Sequence, residues 1–155
     1  MPSSEQNPMS TPRQFVLDGS VTLAWYFADE ANPYADAIAR LLPRELEAVV
    51  PTIWPLEIAN AFLTGERRRR STPAQSAKWA GFLEVLPITI DGEGSTRAFR
   101  EILSLGRERG LSAYDAAYLE VAMRRGLPLA TLDAKLKSAA VTVGVAIYSP
   151  GSDAN

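Results

Sequence analysis

The chain of 155 residues contains no histidine and no cysteine. Without these side chains it cannot use Ser-His-Asp or Cys-His nucleophiles, thiol redox chemistry or disulfide bonds. Zinc sites built from imidazole and thiolate ligands are excluded as well. A catalytic site in this chain must therefore use carboxylates, hydroxyls, lysine, arginine or a bound hard cation.

Long apolar runs and an excess of positive charge are also missing. No stretch approaches the ~20 apolar residues that a membrane-spanning helix needs, and residues 1–13 lack the apolar centre of a secretion signal. We therefore expect a cytoplasmic protein that does not associate with membranes. The 16 basic and 18 acidic residues give a net charge of -2. Nucleic acid binding would accordingly require a local basic patch rather than an overall positive field.

Hydrophobic residues make up 46% of the chain, which is typical of a single globular domain. We expect this domain over residues 13–149, between polar flexible tails at residues 1–12 and 150–155. Short apolar runs alternate with helical patterns, and they predict strands at 15–17, 48–50, 86–90, 127–132 and 143–148. Strands separated by helices favour a three-layer α/β/α fold with a four- to five-stranded, mainly parallel sheet.

Several carboxylates follow predicted strands, where open parallel sheets bind their ligands. Asp18 follows the first strand and Asp133 follows the fourth. Each could instead be the N-cap of the helix that comes next. Asp91 ends the third strand and enters Gly92-Glu93-Gly94, so we interpret it as a turn residue. The other acids, Glu120 among them, are interpreted as solvated surface residues.

Two further carboxylates lie in the first turns of predicted helices. Glu57 has apolar or small neighbours, and Asn60 lies one turn away on the same face. A carboxylate in this position also interacts favourably with the helix dipole. Asp115 is flanked by alanine and tyrosine, and it fits a capping pattern that starts at Ser112. Capping or dipole interactions thus remain an alternative for both residues.

The four carboxylates Asp18, Glu57, Asp115 and Asp133 could meet at one edge of a parallel sheet. Two like charges at ~4 Å repel by ~4 kcal/mol at an effective dielectric constant near 20, so such a cluster needs a cation to stay ionised. Oxygen ligands without histidine or cysteine favour Mg²⁺ or Mn²⁺. The sequence therefore indicates a site for a hard divalent cation.

Four segments, in this order, closely resemble the PIN-domain family and in particular the VapC-type toxins of bacterial toxin–antitoxin pairs. The segments are VLDGSV at 16–21, WPLEIANA at 54–61, LSAYDAAY at 111–118 and LATLD at 129–133. The resemblance covers about residues 14–148. It implies a metal-dependent endoribonuclease whose acidic quartet corresponds to Asp18, Glu57, Asp115 and Asp133.

The resemblance also implies roles and partners. Ser20 and Thr131 match hydroxyl positions of the family, two residues after the first Asp and two before the last. We expect Asp18 and Asp115 to be the main metal ligands, Glu57 to bind metal or orient water, and Asp133 to act partly through water. The family further implies a homodimer and a small VapB-like antitoxin whose C-terminal segment blocks the acidic groove.

An RNA substrate would need basic residues near the acidic site. The candidates are Arg67, Arg68, Arg69 and Arg70. Successive helical residues turn by ~100°, so these four cannot all face one ligand, and a solvated helix end is the alternative. Other candidate phosphate contacts are Arg97, Arg100, Arg107, Arg124 and Arg125.

Three other classes of protein are alternatives to a nuclease. A receiver domain requires regular strand–helix alternation, which the consecutive helices predicted at 55–70 and 73–84 disfavour. A haloacid-dehalogenase-type phosphatase requires an acid two residues after Asp18, where this chain has Ser20. A catalytically inactive PIN-like binding module, in which the acids are only helix caps, remains the alternative function.

Overall fold

The computed structural model describes residues 13–150, so the predicted tails lie outside the described residues except for Pro150. In chain order the main elements are β1 Arg13–Leu17, α1 Gly19–Tyr26, α2 Pro33–Leu41, β2 Leu46–Pro51, α3 Trp54–Arg67, α4 Pro73–Glu84, β3 Ile88–Asp91, α5 Leu103–Arg109, α6 Ala113–Arg125, β4 Leu129–Ala130 and α7 Ala134–Thr142. None of the helices within this range is long and apolar enough to cross a membrane.

The four strands form one parallel sheet in the order β3-β2-β1-β4. In β1, Phe15 pairs with Ala48 of β2, and Val16 pairs with Leu129 of β4. The chain adds β2 and β3 on one side of β1 and then places β4 on the other side. The strand order therefore reverses between β1 and β4, which is where open α/β sheets bind their ligands. The prediction of a parallel α/β fold is confirmed.

The core explains why the later residues of β1 and β2 are continuously apolar. Phe15, Val16 and Leu17 are fully buried, as are residues 48–50 in β2. Strands covered on both faces have no solvent side, so they lack the polar alternation of an open sheet. Helix α6 packs against β1 and β2, whereas α1 packs against α2 and α3. This packing brings the first turns of α3 and α6 toward the end of β1.

The strand predicted at 143–148 is reduced to a single bridge between Leu129 and Ile147. Helix α7 continues to Thr142, and Gly144 then adopts a left-handed conformation with φ of 84°. The segment after this turn therefore pairs with the sheet at one position and does not form a fifth strand. Between β3 and α6 the chain forms a 3₁₀ turn at Gly92–Arg97, a π-helical turn at Ala98–Ile102, and then α5.

Glu120 was expected on the solvated surface, but that expectation is wrong, because Glu120 is buried. Arg124 donates to Glu120 at 2.8 Å and to Asp91 at 2.8 Å, and Arg125 donates to Asp91 at 2.6 Å. Asp91 also accepts from the backbone amide of Glu93 at 3.0 Å, as a turn residue should. These ion pairs join the end of β3 to α6, and both guanidinium groups therefore interact with carboxylates of the fold.

Candidate active site

Asp18 lies at the carboxyl end of β1 and is only 7% exposed. Its Oδ2 accepts hydrogen bonds from the hydroxyls of Ser20, at 2.6 Å, and Thr131, at 2.7 Å. Asp18 occupies the N-cap position of α1, but its side chain makes no capping hydrogen bond. The capping interpretation of Asp18 is therefore wrong, and its carboxylate belongs to the strand end.

The same two hydroxyls connect Asp18 to the segment after β4. Ser20 Oγ accepts from the amide of Leu132 at 2.9 Å, and Thr131 Oγ1 accepts from the amide of Asp133 at 3.0 Å. Each hydroxyl thus donates to Asp18 and accepts from a backbone amide of the segment after β4. This arrangement fixes one orientation of the Asp18 carboxylate and holds it near Asp133.

Asp133 and Asp115 both lie at helix starts, and capping explains part of their position. Asp133 Oδ1 accepts from the amide of Leu136 at 2.9 Å, so Asp133 does cap α7. Ser112 Oγ accepts from the amide of Asp115 at 3.1 Å and caps α6. The carboxylate of Asp115 is not needed for that cap and remains half-buried.

Glu57, in the first turn of α3, accepts a short hydrogen bond through Oε1 from the hydroxyl of Tyr118. A Cβ added at Gly19 would lie 3.6 Å from the Tyr118 hydroxyl and 3.9 Å from Glu57 Oε1. The pair therefore lies beside the backbone that follows Asp18. Tyr118 was not predicted from the sequence as a site residue, although it lies one helical turn after Asp115 and therefore on the same face.

The electrostatics of the four acids reflect their proximity. Burial raises the pKa of Asp18, Glu57 and Asp115. Asp133 raises the pKa of Asp18 further, Asp18 and Asp115 raise that of Glu57, and Asp18 and Asp133 raise that of Asp115. Among the described residues, Lys135 is the one cation that lowers any of these pKa values, that of Asp115. The four predicted carboxylates therefore interact with one another electrostatically at this edge of the sheet.

Within residues 13–150, no group of three or more acidic side chains is arranged as a ready metal site. The chemistry of the donors nevertheless fits a hard divalent cation, because every candidate ligand is an oxygen. Two hydroxyls fix the buried carboxylate of Asp18, and no arginine of residues 13–150 forms an ion pair with it. The residues present therefore suit Mg²⁺ or Mn²⁺.

The remaining candidates lie further from these acids. The side chain of Asn60 is exposed on α3 and makes no hydrogen bond within the described residues. Arg67 ends α3, ten residues after Glu57 and therefore about 15 Å along the helix axis. Arg70 donates to Asp29 at 2.7 Å and to Glu30 at 2.8 Å. The four arginines thus lie at the far end of α3, and Arg70 is already paired.

The chain is a parallel α/β domain, and its switch point carries acidic residues and no histidine. The chain matches the model of the PIN domain over residues 15–141, and it therefore belongs to the PIN-domain family. No curated protein matches the chain significantly by sequence.

Solved structures share this fold. PAE2754 of Pyrobaculum aerophilum is 24% identical, with a TM-score of 0.59 over 89% of this chain and 88% of that chain. The VapBC2 complex of Rickettsia felis, bound to a promoter DNA fragment, is 13% identical, with a TM-score of 0.60 over 87% of this chain and 97% of that one. VapC20 of Mycobacterium tuberculosis, a sarcin-ricin loop cleaving toxin, is 16% identical, with a TM-score of 0.55 over 81% of this chain and 94% of that one.

Proposed function

We propose that the protein is a metal-dependent endoribonuclease that hydrolyses RNA phosphodiester bonds and is the toxin of a type II toxin–antitoxin pair. The carrying observation is Asp18, which is buried at the switch point and bound by Ser20 and Thr131. A buried carboxylate without a basic partner is costly to keep ionised, and three further carboxylates raise that cost. The chain belongs to the PIN-domain family, and a nuclease function would explain why this costly carboxylate is retained.

Each acidic residue has a proposed role in this reaction. Asp18 and Asp115 would hold Mg²⁺ or Mn²⁺, and Glu57 and Asp133 would bind it directly or through water. A divalent cation bound there would supply an acidified water and stabilise the developing charge on the phosphate. Ser20 and Thr131 keep Asp18 in one orientation, and none of these tasks requires a histidine.

The RNA would be held by residues around the acids. Arg67, Arg68 and Arg69 are exposed at the end of α3, and they are proposed phosphate contacts. Tyr114 is 60% exposed and directly precedes Asp115, so its ring is available to stack on a base.

The proposed partners are a VapB-like antitoxin and a second copy of the chain. The shared fold with VapC20 and with the VapBC2 complex supports a toxin that is inhibited by its antitoxin. Such a toxin would act in the cytoplasm, where its RNA substrates occur. The antitoxin would have to cover the negative site, which favours a basic segment in that partner.

The test is RNA cleavage by the purified chain in Mg²⁺, in Mn²⁺ and in EDTA, for wild type, Asp18→Asn and the exposed control Asp36→Asn. We expect cleavage by wild type and the control with metal only, and none by Asp18→Asn. Wild-type rates in Asp18→Asn would overturn the assignment. No cleavage by wild type under any condition would favour the inactive binding module. Sequencing of RNA ends after brief expression of wild type and Asp115→Asn would then identify the target.

A further inference from the structure

Tyr118 connects the two helices that carry acidic residues of the site. It lies on α6, three residues after Asp115, and its side chain is fully buried. Its hydroxyl crosses to α3 and donates to Oε1 of Glu57. The contact lies beside Gly19, directly after Asp18. The phenol is thus part of the acidic site although it is an aromatic core residue.

Glu57 needs an anchor to stay in this place. It is a long, half-buried side chain on the first turn of α3, and its charge is repelled by Asp18 and Asp115. Repulsion of this kind drives a flexible carboxylate toward solvent. The hydrogen bond from Tyr118 opposes that movement. This hydrogen bond uses only Oε1 of Glu57. Oε2 has no hydrogen-bond partner within residues 13–150.

We infer that Tyr118 is a positioning residue that holds Glu57 in the acidic site, with Oε2 presented for a divalent cation. This inference rests on the proposed function in one respect, that the site binds a cation. Tyr118 would act on the cation through Glu57 and not as a ligand itself, since its hydroxyl proton is donated to Oε1. A buried phenol needs a hydrogen-bond acceptor, so the two residues fix each other.

The first experiment measures Mn²⁺ affinity by calorimetry for wild type and Tyr118→Phe. The substitution keeps the buried ring and removes only the hydroxyl. We expect binding to weaken roughly 10- to 100-fold, as is usual when the partner of a metal ligand is lost. The matched control is Tyr26→Phe, which removes a hydroxyl 3.1 Å from Ser76 Oγ and leaves the acids untouched. Unchanged affinity in Tyr118→Phe would overturn the inference.

A double-mutant cycle separates positioning from general damage to the core. If Tyr118 acts through Glu57, Tyr118→Phe weakens Mn²⁺ binding strongly in wild type and little in the Glu57→Gln background. A purely structural effect would lower affinity equally in both backgrounds. Equal losses would therefore contradict a positioning role.

A second readout needs no metal. The ¹³C resonance of the Glu57 carboxyl, assigned by its loss in Glu57→Gln, should move toward that of a solvated glutamate in Tyr118→Phe and stay unchanged in Tyr26→Phe. An unchanged resonance in Tyr118→Phe would refute the inference. If wild type binds no Mn²⁺, the proposed function fails while this measurement still decides the role of Tyr118. If Tyr118→Phe does not fold, the Tyr118 hydroxyl proton of wild type must show contacts to Glu57, and their absence would refute the inference.

Discussion

Asp18 is a residue whose proposed role in function lowers the stability of the fold. Burial raises its pKa, and Asp133 raises it further. A carboxyl whose folded-state pKa exceeds its unfolded value stabilises the fold less as the pH rises past the unfolded value. At pH 7 and without a cation, ionised Asp18 therefore lowers the free energy of unfolding.

Asp18→Asn should accordingly raise the melting temperature of the metal-free protein at pH 7, because the amide keeps an acceptor for Ser20 and Thr131 and removes the charge. RNA cleavage should fall by more than about 100-fold, since even indirect partners of a metal are worth 10- to 100-fold. Melting in EDTA and a cleavage assay measure the two effects. A lower melting temperature than that of Asp36→Asn would contradict the argument.

The sequence predicts some of these residues and not others for physical reasons. Asp18 and Glu57 are recognisable because a carboxylate interrupts an apolar context. Tyr118 is not, because a buried aromatic at helical spacing looks like any core residue. Glu120 and Arg124 form a pair four residues apart, which the sequence could have indicated. The pairing of Arg124 with Asp91 joins residues far apart in the chain, and only the fold reveals it.

At the scale of elements, helix boundaries follow local signals closely. Helix α4 begins with Thr72 and Pro73, and Thr72 and Gln75 form a complete capping box. Helices α5 and α6 end at Gly110 and Gly126, both in the left-handed conformation. The strand predicted at 143–148 is the exception, because only one bridge forms there. Its pairing depends on β4, which is only two residues long.

Two helical glycines offer a matched test of packing. A Cβ at Gly65 of α3 would lie 2.9 Å from the ring of Phe27, whereas one at Gly81 of α4 would meet nothing within 4 Å. Gly65→Ala should therefore destabilise the fold by about 1–3 kcal/mol, the usual cost of overpacking. Gly81→Ala should stabilise it by roughly 0.5–1 kcal/mol. Urea denaturation measures both, and changes of the same sign would contradict the packing described for α3.

The ion pairs between β3 and α6 make a second element-scale contribution. Arg124 and Arg125 lower the pKa of Asp91 to about 2 against the burial of that carboxyl. A carboxyl whose pKa is lower in the folded state stabilises the fold at any pH above its unfolded pKa of 3.8. This contribution is lost as the pH falls toward 2. The ion pairs between β3 and α6 should therefore stabilise the fold strongly at pH 7 and weakly in acid.

Arg124→Gln should destabilise the fold by about 3 kcal/mol at pH 7, because it leaves buried carboxylates without their main partner. The difference from wild type should shrink by pH 3, as Asp91 begins to protonate. Urea denaturation at the two pH values tests this, with the exposed Arg107→Gln as the control. An equal cost at both pH values would show that the charge of Asp91 is not responsible.

For the molecule as a whole, the topology assembles the acidic site from distant segments. The reversal between β1 and β4 brings together Asp18 and Asp133, which are 115 residues apart in the chain. Helices α3 and α6 add Glu57 and Asp115 from their first turns. The repulsion among these charges opposes the native state as a whole, so a ligand that neutralises them should stabilise the entire domain.

Divalent cations should therefore raise the melting temperature of the whole domain. A ligand that binds only the folded state raises the free energy of unfolding by about 2.7 kcal/mol when its concentration is 100 times its dissociation constant. For a domain of this length that corresponds to a rise of roughly 5–10 °C. Melts in Mn²⁺ and in NaCl of equal ionic strength separate site binding from screening, and Asp18→Asn should lose most of the shift. A wild-type shift that persists in Asp18→Asn would place the cation elsewhere, and the absence of any shift would contradict a cation site at these acids.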